Sequence, residues 1–365
     1  MLVDIIAGAR PNFVKIAPII RAIQERAAQG GPLRYRVVHP GQHYDARMSA
    51  DFFVQLGIPA PDVSLKVGSG SQAEQTGSNH ARYEELLLKE PSDLRLVPGD
   101  VTSTMACAIT AKKLCLPVAH MEAGIRSGDI NMPEEVNRIV TESITDWFFT
   151  TSVVANANLR QAGVGEDRII FVCNTMIDTL LANMDRLEKP QFFDKLGLEP
   201  KGYFVTTLHL PANVDQGDGF SRMLAAIGHG ARNLPVIFPA HPRTAKTLRV
   251  LGEVPANIHL VEPQPYLQFN WLVKNAFAVI SDSGWITEET MVIGSPCLKL
   301  RDDTERPETL EIGTNMLIGC NPDALAPALD MLFDGRWKSG GISPLWDGQT
   351  APRCVATLEQ LLVSR

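Results

Sequence analysis

Four carboxylates and a histidine stand where apolar runs of this chain break into polar loops. Asp100 follows LRLVPG, Glu122 follows LPVAHM, and Glu134 and Glu135 follow the turn-rich SGDINMP. Acids gathered at one sheet edge repel one another, and that repulsion raises some of their pKa values toward the range that suits proton transfer. A plainer reading competes with this one. Glu122 and Arg126, like Glu134 and Arg138, are four residues apart, the spacing of routine ion pairs, and spacing alone leaves both readings open. His209, in TTLHLPANVD, ends a β-prone run that Pro211 stops, which sends the imidazole toward a cleft. A structural role is its alternative. His43 in GQHYD and His241 in PAHPRT lie at similar strand-to-loop switches, whereas His120 sits inside an apolar strand and reads as a satisfied core histidine.

Three stretches have the strand, polar loop, helix order that forms anion sites, with free N–H groups and a helix dipole facing a ligand. They are GARPN (8–12), GDVTST (99–104) and SDSGWITEE (281–289). In the first, Arg10 supplies a cation and Lys15 follows about one helical turn later. In the third, Ser283 and Gly284 open a helix and Glu288 and Glu289 fall one turn inside, where a carboxylate would accept from ribose hydroxyls. Each stretch also fits a simple helix cap.

The elements that must position these groups follow a βαβ rhythm. LVDIIA, YRVVHP, LRLVPGD, DWFFTT and IIFVCN are short apolar runs separated by helical patterns such as NFVKIAPIIRAIQERA, MSADFFVQLG and TSTMACAITAKKL. Continuous apolar strands of this kind belong to parallel sheets buried on both faces. The polar stretch FFDKLGLEPKG reads as a junction, after which YFVTTLHL, LPVIFPAHP, NIHLVEP, AFAVISDSG and SPCLKLRD restart the pattern. The reading is therefore α/β, with two similar halves, each on a doubly wound parallel sheet, and a ligand cleft at the carboxyl ends of the strands. VGSGSQ follows no convincing strand and reads as a flexible turn.

With 365 residues, 45% of them hydrophobic, the chain is long enough for two cores. Its net charge of −7 argues against nucleic acid or an anionic membrane as a partner. The six cysteines show no C-x-x-C pair or metal-like spacing and read as reduced and structural. No secretory signal or membrane-length apolar run is present, so a cytoplasmic location is expected.

Together these segments resemble the non-hydrolysing UDP-N-acetylglucosamine 2-epimerase family. The stretches that carry the resemblance are GARPNFVKIAP, GQHYDARMS, GDVTST, HMEAGIRSGDINMPEEVNR, TLHLPANVD, AHPRT, SDSGWITEET and LRDDTERPET, in family order. The resemblance implies a GT-B fold of two Rossmann-like domains: residues 1–178 as one domain, 179–351 as a UDP-binding domain, and a last helix, 352–365, crossing back to the first. It also implies a homodimer and a reaction needing neither nicotinamide nor metal, in which UDP leaves a UDP-2-acetamido sugar and returns after C2 has inverted. By motif position, Asp100, Glu122, Glu134 and His209 take the acid and base roles and the role at the leaving oxygen. Arg10, Ser283 and Gly284 hold phosphates, Glu289 the ribose, and Lys15 joins the substrate site. Gln42, His43 and His241 line the cleft or a neighbouring site, and Arg306 supports its wall. Three positions depart from the family pattern: Leu210 where an arginine is usual, Trp285 where a second glycine is usual, and Cys173 where a turn glycine is usual.

Overall fold

The computed structural model describes residues 1–8, 10–41, 54–208, 217–240, 244, 247–248 and 254–363; of Arg10, Gly217 and Asp218 it describes the backbone only. The chain divides into two compact units, Met1–Ala182 with Leu345–Arg365, and Asn183–Pro344.

The first unit is built on seven parallel strands in the order β3-β2-β1-β4-β5-β6-β7. These are β1 (Leu2–Ile6), β2 (Arg34–His39), β3 (Val63–Ser64), β4 (Leu94–Pro98), β5 (Val118–Ala123), β6 (Trp147–Thr150) and β7 (Ile169–Phe171). All five residues of β4 are buried, as a strand covered on both faces requires. Helices α1 (Arg10–Ala28), α2 (Gln72–Lys89), α3 (Thr102–Lys113) and α4 (Pro133–Ile144) follow β1, β3, β4 and β5. The last helix, Thr350–Val363, packs on α1; Arg26 pairs with Glu359 at 2.7 Å, and the Asp178 carboxylate accepts the Thr350 and Ala351 N–H groups at 3.1 and 2.6 Å.

VGSGSQ proves to be more than a turn. Ser71 caps α2 through a capping box, accepting from the Glu74 N–H while the Glu74 side chain accepts from the Ser71 N–H at 2.8 Å. A charged seam also crosses the sheet. Asp4 on β1 accepts Arg36 Nε at 2.8 Å, Arg36 Nη2 at 2.9 Å and the Tyr83 hydroxyl at 2.9 Å, all buried.

The second unit holds six parallel strands in the order β10-β9-β8-β11-β12-β13. They are β8 (Phe204–Thr207), β9 (Val236–Pro239), β10 (Ile258–Val261), β11 (Ala278–Ser281), β12 (Cys297–Lys299) and β13 (Asn315–Leu317). Alternate strand residues face opposite sides. Phe204, Phe238, Ile280 and Leu298 pack with residues of helices Gly217–Gly230 and Leu325–Phe333, while Val205, Ile237, Val279 and Cys297 pack with Leu272, Val273 and Ile286. The helix Gly284–Ile293 ends at Gly294, whose φ of 79° gives the left-handed C-cap that glycine adopts cheaply. Among the described residues no helix is long and apolar enough to cross a membrane.

Candidate active site

Both sheets reverse strand order at one place, between β1 and β4 in the first unit and between β8 and β11 in the second. Ligands of open α/β sheets sit outside the carboxyl ends of the strands at such a point. The GARPN and GDVTST stretches leave the first switch point, and the SDSGW stretch leaves the second.

In the first unit the backbone geometry at this edge is unusual. Gly99 (φ 65°), Glu122 (φ 70°) and Gly124 (φ 84°) are all left-handed, and the register between β5 and β6 shifts between Met121 and Ala123. A β-bulge of this kind re-aims a side chain, and here it is that of Glu122. Its carboxylate pairs with Lys15, reaching back from α1; the two side chains are 14% and 12% exposed. Gly99 lies against them: a Cβ there would meet Lys15 Nζ at 3.1 Å and Glu122 Oε2 at 3.5 Å. Asn12 ties α1 to the same place by donating to the Pro98 carbonyl at 2.7 Å.

Asp100, 26% exposed, accepts from Arg138 Nε at 3.0 Å and Nη2 at 2.6 Å, and its carbonyl accepts from Asn137 at 2.8 Å. Arg138 Nη1 donates in turn to Glu135 at 2.8 Å. Glu135 also accepts the Ser127 and Gly128 N–H groups at 3.0 and 3.4 Å. Burial pushes its carboxyl up, but the Ser127 N–H, the Arg138 guanidinium and the Gly128 N–H more than offset this, and its pKa falls below the ordinary value. Pro133 opens α4 at a position that needs no N–H, which leaves Glu134 in its first turn, half-buried and without a hydrogen-bond or ion-pair partner among the described residues.

The two ion pairs suggested by four-residue spacing are not formed among the described residues. Arg126 goes to Glu142, and Arg138 to Asp100 and Glu135. No local pattern in the sequence points to Glu142 or to the coupling of Arg138 with Asp100. His120 is fully buried as expected, and its Nε2 donates to the Gly99 carbonyl at 2.8 Å.

In the second unit the helix 284–293 starts without a side-chain cap: Ser283 makes no capping bond, and its N–H donates to Ser281 Oγ at 3.0 Å. Among the described residues, a Cβ on Gly284 would meet nothing within 4 Å. Trp285 turns its ring onto Tyr266, with centroids 6.0 Å apart and planes at 14°. Tyr266 donates to Glu289 Oε1 at 2.7 Å. Glu289 is 1% exposed, and burial pushes its pKa up to about 7 against the pull of Tyr266, Trp285 and Asn270. Glu288 is buried against Arg306 Nε at 2.5 Å, so Arg306 braces the helix from below. Lys299 at the end of β12 is buried, donates to Thr304 Oγ1 at 2.7 Å, and has its pKa lowered to about 8, first by burial and then by Arg301.

His209, Leu210, Gln42, His43 and His241 lie outside the described residues, as does the Arg10 side chain. Cys173 takes the left-handed φ of 84° that its place in a glycine turn implies. Among the described residues no group of three or more His, Cys, Asp or Glu side chains is arranged to hold a metal ion.

Comparison with known proteins places this geometry in context. A family model described as UDP-N-acetylglucosamine 2-epimerase matches residues 25–359. The UDP-N-acetylglucosamine 2-epimerase of Methanocaldococcus jannaschii is 37% identical over 98% of this chain and 99% of its own length. The UDP-2,3-diacetamido-2,3-dideoxy-D-glucuronate 2-epimerase of Pseudomonas aeruginosa is 36% identical over 94% of each chain. The crystal structure of the M. jannaschii enzyme with UDP-GlcNAc and UDP superposes with a TM-score of 0.87, covering 99% of this chain and 100% of that one. The two-sheet α/β architecture is thus that of the GT-B fold. Likeness at this level over nearly the whole of both chains, in sequence and in fold, has one meaning: the chain belongs to the UDP-N-acetylglucosamine 2-epimerase family.

Proposed function

We propose that this isomerase inverts C2 of a UDP-2-acetamido sugar, UDP-GlcNAc or its 2,3-diacetamido uronic acid relative, without hydrolysing it. The C2 proton is removed as UDP leaves, a 2-acetamidoglucal remains, and UDP adds back as a proton arrives on the opposite face. The observation that carries this reading is the first unit's loop edge, where Asp100 and Glu122 are each fixed by a cation while Glu134 is left unpartnered among the described residues.

A C2 proton is weakly acidic, so its base must be held close and free to accept. Glu134 meets that requirement. Asp100 and Glu122, held by Arg138 and Lys15, act as the oriented carboxylates of the same centre, and Lys15 serves the substrate through Glu122. His209 acts at the leaving oxygen. Departing diphosphate needs cations and N–H dipoles that do not reorganise; Arg10 supplies the cation, and Ser283 and Gly284 the N–H groups of a helix start that has no side-chain cap. Glu289 faces the ribose, Arg306 braces its helix, and Gln42, His43 and His241 line the remaining substrate surface.

The 37% and 36% identities to enzymes named for two different sugars do not separate the two substrates. We infer a homodimer as well, supported by the apolar Ile130, Val136 and Ile139, which are 63%, 39% and 42% exposed around the start of α4. Six free cysteines suit a reducing compartment such as the cytoplasm. Incubation with each UDP-sugar in D2O tests the reaction: deuterium should enter C2 of the true substrate, and protonated sugar throughout the panel after long incubation would refute it.

A further inference from the structure

Beneath the loops that carry Asp100 and Glu122 lies a buried pair whose atoms reach both. His120 is 0% exposed, and its Nε2 is 2.8 Å from the Gly99 carbonyl. A carbonyl only accepts, so this nitrogen carries a hydrogen and the ring orientation is set. The other ring nitrogen faces Glu142 Oε1 at 3.5 Å, an ion-pair contact when the ring is protonated. That same oxygen accepts the Gly124 N–H at 2.6 Å, and the second carboxylate oxygen takes Arg126. Gly99 immediately precedes Asp100, and Gly124 lies two residues beyond Glu122. One carboxylate, on the far half of α4, therefore binds one loop directly and lies against the imidazole that binds the other.

The positions tied down are those that need tying. Gly99, Glu122 and Gly124 have φ of 65°, 70° and 84°, and a non-glycine residue such as Glu122 holds that conformation only when its surroundings over-determine it. Glu142 remains ionised while it does so. Burial pushes its carboxyl up, but the His120 ring and then Arg126 pull it below the ordinary value.

We propose that Glu142 and His120 are positioning residues that lock the Asp100 and Glu122 loops into one unit. The inference rests on the epimerase reading only in taking those two carboxylates as the reacting centre. Misplacement by about 1 Å costs on the order of 100-fold in rate. Glu142→Gln, which keeps the shape, and His120→Leu should each lower kcat for C2 exchange by about that factor while changing KM less than about threefold. His120→Gln, whose amide still reaches the Gly99 carbonyl as a donor, should recover most of the loss.

Hydrogen–deuterium exchange of the whole protein gives a readout that needs no turnover. In Glu142→Gln, segments 97–104 and 120–128 should lose protection together. Unchanged protection of 97–104 overturns the coupling whether or not the enzyme is active. A variant that keeps the wild-type kcat overturns the positioning role. If the two segments loosen together but wild-type protein leaves C2 protonated on every sugar, the coupling stands and the epimerase reading alone fails.

Discussion

Replacing Arg138 with methionine tests the electrostatics of the candidate site at its centre. The guanidinium is 5% exposed, and its charge-assisted hydrogen bonds include two to Asp100 at 3.0 and 2.6 Å and one to Glu135 at 2.8 Å. Each such bond contributes about 1.5–3 kcal/mol, but the sum overstates the loss, because Asp100 is 26% exposed and rehydrates. Glu135, 3% exposed, does not, although Ser127 and Gly128 still donate to it. Methionine keeps most of the volume, so the cost is that of one buried charge left without its counter-ion, about 3–5 kcal/mol. For a unit of roughly 200 residues this lowers Tm by roughly 6–20 °C. The pH dependence has a definite sign. The folded pKa of Glu135 is depressed, so its contribution is present above the ordinary carboxylate value of about 4.5 and disappears as pH falls through the folded value. Thermal and urea unfolding followed by circular dichroism should therefore show the full gap at pH 7.5 and a smaller one at pH 4. A gap under about 1 kcal/mol at pH 7.5, or an equal gap at both, would overturn this account of Arg138.

Three further outcomes are expected. Glu289→Gln should flatten the stability profile of the second unit. A carboxyl raised to about 7 stabilises fully below the unfolded value of 4.5 and loses that contribution as pH rises through the folded one, a change on the order of 3 kcal/mol, and equal slopes for variant and wild type between pH 5 and 7 would contradict it. Leu210→Arg should tighten UDP binding by about 1.5–3 kcal/mol in calorimetry if a cation beside the diphosphate is what this chain lacks; unchanged affinity rejects that account. Ser71→Ala removes the capping box of α2 and should cost about 1 kcal/mol in urea unfolding without altering turnover, a loss below about 0.3 kcal/mol counting against the cap.

The strands were legible because parallel sheets demand continuous apolar runs, and LRLVP and FVTT met that demand with every residue buried. The cap at Ser71 was missed because its glycine-rich lead-in reads as a turn, although Ser71 and Glu74 have the spacing of a capping box. What could not be read was side-chain partnership across long separations. The rule that pairs charges four apart holds on a continuous helix. Glu122 is the second-last residue of β5 and Arg126 lies in the loop beyond it, so neither is on a helix. Arg138 is on one, yet it reaches back 38 residues to Asp100, and Glu142 reaches 18 to the Gly124 N–H. The Asp4, Arg36 and Tyr83 seam spans 79 residues and gave no local signal.

Glu134 and Glu135 have the same chemistry, sit side by side, and receive opposite environments. A helix turns about 100° per residue, so one of two neighbours can face the protein while the other does not. Glu135 is the inward one, 3% exposed and held by Arg138 and two backbone N–H groups. A carboxylate so well satisfied is a poor base, since taking a proton would forfeit those bonds. Glu134 has no such bonds among the described residues. Substituting glutamine at each position should therefore separate the two properties. Glu134→Gln should abolish C2 deuterium exchange, by at least about 100-fold, and leave Tm within about 2 °C. Glu135→Gln should cost about 1–3 kcal/mol of stability through its unmatched donors and retain measurable exchange. The reverse assignment, with exchange surviving in Glu134→Gln at full rate, would show that partner-free exposure at the helix start is not what selects the base.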